Sequence, residues 1–174
     1  MGATGSKEVE RASKQSSEFL DLRGKTISTI PKSIGECTHL ERINASDNHI
    51  TQIPPQIGAL VNLVRLNLFN NRITSMPPEI NQCTKLEELN LSVNKLKELP
   101  RGYGCLNKIS FLDLSSNELK EIGPQIGMIL TLKVRTPALN SLLPTLREGR
   151  ARSLWLAWFK GVLLLVQSAQ GHPL

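Results

Sequence analysis

A side-chain carboxamide can both donate and accept hydrogen bonds, and this chain places one at a fixed interval. Asn48, Asn71, Asn94 and Asn117 each follow the last by 23 residues. That spacing suits structural chemistry. A sharp turn made once per period leaves backbone N–H and C=O groups that no neighbouring strand can pair, and an amide at the turn satisfies both kinds. The other residues able to do chemistry are scattered. His39, His49 and His172 share no motif, Cys37, Cys83 and Cys105 form no C-x-x-C, and no P-loop, G-x-S-x-G or paired-carboxylate pattern occurs. The expectation is a protein with no enzymatic activity, no cofactor and no metal.

The elements that position these amides are legible from the same period. Aligned on it, the chain repeats L-x-x-L-x-L-x-x-N-x-I-x-x-I-P-x-x-I-G-x-x-x-x from Leu40, Leu63, Leu86 and Ile109. A period of that length denotes a solenoid rather than one globular core. The apolar columns Ile43, Leu66, Leu89, Leu112 and Ala45, Leu68, Leu91, Leu114 alternate with outward positions, so each unit contributes a short strand and the stacked units form a parallel sheet. Proline at 31, 54, 77 and 100 then opens the return segment, and Gly35, Gly58, Gly104 and Gly127 are expected to permit the turn toward the next strand. The convex side should be irregular or 3₁₀. A degenerate copy from Ser17, with Leu20, Leu22, Ile27, Ile30 and Ile34 in register, carries Lys25 where the asparagine belongs.

This unit resembles the leucine-rich repeat, and its I-P-x-x-I-G half resembles the intracellular Ras-group proteins that include Ras suppressor. Asn67-Leu68-Phe69-Asn70-Asn71 and Leu99-Pro100-Arg101-Gly102-Tyr103-Gly104 carry the latter likeness. The resemblance implies an α/β-type solenoid with a short parallel sheet on its concave face. It also implies scaffold or adaptor work in small-GTPase or adhesion-linked signalling, with other proteins (a small GTPase or its effectors) as partners. Family members run to more repeats, which implies a truncated chain.

The alternation leaves outward positions free of packing constraints. Arg42, Arg65, Asn67, Phe69, Asn90 and Phe111 join aromatic and arginine side chains to amides, the composition of interface anchors, and are the candidate partner-binding residues. Nucleic acid is not an expected partner. The net charge is +6, but beyond Leu132 six basic residues face only Glu148, so the repeat array itself is nearly neutral.

Three segments follow: a flexible leader over 1–16, about five repeats over 17–132, and a divergent apolar and basic tail over 133–174. The leader begins Met-Gly2-Ala3-Thr4-Gly5-Ser6, which fits N-myristoylation at Gly2. One acyl chain binds membranes only marginally, so any membrane association is expected to be weak. Cys37 and Cys83 share a repeat column two coils apart, roughly 10 Å, too far for a disulfide. With no secretory h-region and none of the cysteine-stapled caps of extracellular relatives, a reduced cytoplasmic location is expected.

In 23-residue phase the tail places Arg135 and Pro137 at inward positions, which predicts that the sheet ends at the strand near Ile109. Leu154–Val166, which holds both tryptophans, is too short to span a bilayer and is expected to lie loosely over the last coil. The loss of acidic residues and of the repeat also fits an altered reading frame or splice form.

Overall fold

The computed structural model describes residues 3–99, 105–119 and 133–134. Helix α1 (Ala3–Gln15) precedes six parallel strands stacked in chain order: β1 (Phe19–Asp21), β2 (Arg42–Asn44), β3 (Arg65–Asn67), β4 (Glu88–Asn90), β5 (Phe111–Asp113) and β6 (Lys133–Val134). The central residue of each of the first five is buried between two outward neighbours. Register follows the repeat, with Leu20, Ile43, Leu66, Leu89 and Leu112 successive partners across the sheet.

Such strands are too short to satisfy the turns that follow them, and the asparagines complete the pairing. Asn71 accepts from the Ile50 N–H at 3.0 Å and donates to the carbonyls of Ala45, Leu68 and Phe69 at 2.9, 3.1 and 3.2 Å. Asn48, Asn94 and Asn117 accept from Ile27, Ile73 and Leu96 in the same way. Each amide therefore ties its own turn to the preceding coil.

The convex side consists of 3₁₀ turns at Lys32–Glu36, Pro55–Ala59 and Pro78–Gln82, each entered through an extended proline with φ between −67° and −71°. Ile34, Ile57 and Ile80 point from these turns into the core. The glycines act differently from the sequence-based expectation. Among the described glycines only Gly24 has positive φ, so Gly35 and Gly58 are not there for a backward turn. Close approach is the reason: a Cβ on Gly58 would lie 2.6 Å from the Glu79 carbonyl oxygen of the next coil, and one on Gly35 would lie 3.0 Å from Gln56 Cβ. Gly104 and Gly127 lie outside the described residues.

Two boundaries also differ. Where a flexible leader was expected, α1 is a helix that covers the first coil. Gly5, Val9 and Ala12 recur at helical spacing and are buried, and the helix packs on β1 and the first 3₁₀ turn. Cys37 Sγ lies 3.6 Å from the Val9 carbonyl, and His39 Nε2 lies 3.2 Å from that of Ala12. The apolar spacing is too brief to stand out among nine polar residues.

At the other end, the sheet does not stop at β5. Lys133 and Val134 pair with Phe111 and Leu112, one residue earlier than a 23-residue phase would place them. A one-residue slip inverts which side chains share a column, so Val134 rather than Arg135 stands opposite Leu112. The objection to a sixth strand rested on the unshifted phase. Residues 135–174, including Pro137 and Leu154–Val166, lie outside the described residues.

Cys37 and Cys83 are buried core thiols, unpaired as disulfides, and Cys105 is exposed. Burial pushes the Cys83 thiol up to about 11, which leaves it protonated and unreactive at neutral pH.

Replacing Asn71 by Ala leaves the buried Ile50 N–H and the carbonyls around it unpaired. Chemical denaturation should show a loss of about 1–3 kcal/mol, with a smaller loss for Asn117→Ala, whose side chain is less buried.

Candidate protein-binding face

The outward residues form two ladders across the concave sheet. The first strand position reads Phe19, Arg42, Arg65, Glu88 and Phe111; the third reads Asp21, Asn44, Asn67, Asn90 and Asp113. Between them runs an open groove of about 290 Å³, with Phe19 at one end and Phe111 at the other.

Its polar groups are held in place locally. The Arg42 guanidinium lies over the Phe19 ring, 5.5 Å from its centroid. Arg65 Nε meets Glu88 Oε1 at 3.3 Å, with both side chains about half exposed, so the pair adds little stability and can reorganise. Asn44, Asn67 and Asn90 each accept, through Oδ1, the N–H two residues ahead, at 3.2, 3.0 and 3.0 Å. Asp21 and Asp113 do likewise at the two ends.

Five of the six residues expected to bind a partner line this groove: Arg42, Arg65, Asn67, Asn90 and Phe111. Phe69 does not. It follows β3 in the column that holds Ser46 and Ser92, and stands 36% exposed outside the groove lining. Phe19 lines the groove but was not singled out from the sequence. It sits in the degenerate first copy, where only its position one residue before Leu20, matching Arg42 before Ile43, could have marked it. Gly2 lies outside the described residues.

A third column borders the face. Gly24, Asp47, Asn70, Val93 and Ser116 recur at the repeat period with φ of 63°, 58°, 53°, 56° and 54°. Left-handed backbone suits Gly and is tolerated by Asn and Asp; a β-branched residue there is strained. Asp47 is held further by its neighbours: Asn70 Nδ2 and Arg23 Nε each donate to its carboxylate at 3.0 Å. The Asn70 bond, then the Arg23 bond and charge, hold its carboxyl below the usual range despite partial burial.

Models of the leucine-rich repeat match residues 39–60 and 61–119. The chain has the leucine-rich repeat fold. Among solved structures, the functional domain of InlJ from Listeria monocytogenes is 27% identical, with a TM-score of 0.59 over 68% of this chain and 25% of that one. A leucine-rich repeat protein of Leptospira interrogans is 24% identical, with a TM-score of 0.49 over 73% of this chain and 46% of that one. This chain thus spans less than half the length of either. No curated protein matches. Leucine-rich repeat domains generally mediate protein–protein interaction and are typically non-enzymatic. Among the described residues there is no cluster of potential metal ligands and no helix long and apolar enough to cross a membrane.

Val93 carries the strain that its column imposes without an offsetting contact from burial, since it is 39% exposed. Val93→Asn should therefore raise stability by about 1 kcal/mol, read as an increased midpoint in thermal or chemical unfolding.

Proposed function

We propose that this leucine-rich repeat protein is a binding scaffold or adaptor whose concave groove receives a partner protein. The observation that carries this reading is the convergence of Arg42, Arg65, Asn67, Asn90 and Phe111 on one open face whose side chains the core does not need. Aromatic and arginine anchors with spare hydrogen-bonding capacity are what a recognition surface supplies. A place in small-GTPase-linked cytoplasmic signalling is supported by the likeness of Asn67–Asn71 to the Ras-group repeats. Proximity labelling in cells, with the wild type beside Arg42→Ala/Phe111→Ala, tests the reading. The groove variant should lose the wild-type partners while its circular dichroism and melting are unchanged. Equal labelling by the folded variant overturns it.

A second reading rests on the N-terminal motif. Gly2, followed by Ser6 and Lys7, suits acylation of the nascent chain before α1 docks, with weak membrane association as the result. Intact mass from a eukaryotic host should show a myristoyl adduct that Gly2→Ala abolishes. An unmodified N-terminal glycine in every molecule removes this reading.

A further inference from the structure

The three central asparagines of the groove are engaged on one side only. Asn44, Asn67 and Asn90 use Oδ1 to cap the turn ahead, and their Nδ2 groups have no acceptor among the described residues. They stand on adjacent strands in register, so they form a row of amide donors about 4.8 Å apart. Arg42 lies on the strand that holds Asn44, and its guanidinium has no acidic partner among the described residues, only the Phe19 ring beneath it. Arg65 is its register partner on the next strand. Unsatisfied amide donors and the unpaired charge of Arg42 are thus concentrated over β2 and β3, where Arg65 is shared with Glu88 at 3.3 Å. Carboxylates occupy the flanks, at Asp21 on β1, Glu88 on β4 and Asp113 on β5.

We propose that the groove recognises an extended segment of a partner protein bearing one acidic side chain, and this rests on the concave-face reading above. The carboxylate sits between Arg42 and Arg65, where two cations and the amides of Asn44 and Asn67 can share its oxygens. Only one acid is favoured, because Asp21 and Asp113 repel a second toward either end. The segment is extended because amide donors in a row need exposed backbone carbonyls, and a helix has already used its own internally. Phe111 lies two to three strand intervals from the carboxylate site, about 12 Å. At ~3.3 Å per extended residue, the ligand's apolar side chain falls about four positions from its acid.

The test uses the full chain and capped hexapeptides that carry Glu with Leu four positions away, in both sequence directions, beside the same peptides with Gln for Glu. Side-chain amide signals of Asn44, Asn67 and Asn90 report occupancy by NMR. The Glu peptide should shift these signals and bind roughly tenfold or more tighter than its Gln counterpart. Arg42→Ala should erase that preference, whereas Arg72→Ala, an exposed site outside the groove, should keep it. Equal binding of Glu and Gln peptides, or a preference surviving Arg42→Ala, overturns the proposal. So does inorganic phosphate shifting the same amides as strongly as the peptide. If the amides respond to peptides regardless of charge, the acidic specificity falls and the concave-face reading stands. If no peptide moves them and cellular partners survive the groove variant, both fall.

Discussion

Everything in this molecule depends on pairing the backbone at a turn that its strands are too short to satisfy. A strand of three residues gives few ladder bonds, and the chain must then reverse inside the core, where water cannot help. Asn48, Asn71 and Asn94 are buried there, 5–7% exposed, yet each accepts one bond and shares its two N–H groups among three carbonyls. Because every amide bonds to its own coil and the one before, a coil has no stable conformation apart from its neighbour. The column therefore ties local turn geometry to the order of the whole stack.

The same arrangement separates duties by position. Inward leucines and isoleucines, turn prolines and closely packed glycines are constrained by contact with the next coil. Outward residues are constrained only by the short capping bond that fixes Asn44, Asn67 or Asn90 to the turn ahead, and that bond uses one end of each amide. A side chain that stabilises its own loop is thereby also presented, oriented, to whatever enters the groove. Stability and recognition draw on opposite ends of one functional group.

Much of this was legible in the sequence because the repeat supplies an internal alignment. The strand register, the proline-led 3₁₀ turns and the buried asparagines follow from columns that fill with one residue type. The misreadings occurred where that alignment weakens. Gly35 and Gly58 share a column, but a column shows which residue is needed and not whether φ or space requires it. Phe19 escaped notice because its copy lacks the asparagine. Helix α1 belongs to no repeat, and its apolar face is only Gly5, Val9 and Ala12. The sixth strand was hidden by one missing residue in the spacing, which shifted Arg135 into a column that Val134 occupies. Phe69 shows the converse limit: a regular column located it, yet only three dimensions could show that it stands outside the groove lining.

Helix α1 and the turn that follows it also bear on association. A stack of parallel coils has two unlike ends, and contact between the end of one copy and the start of another is heterologous, so it extends into a filament unless something stops it. At the β1 end, α1 lies over the apolar coil, and Ser17 Oγ takes both backbone groups of the edge residue Phe19, donating to its carbonyl at 2.8 Å and accepting from its N–H at 3.3 Å. Phe19 therefore offers no free backbone pair to another strand. Head-to-tail growth needs both ends, so covering this one works against copies adding to one another indefinitely.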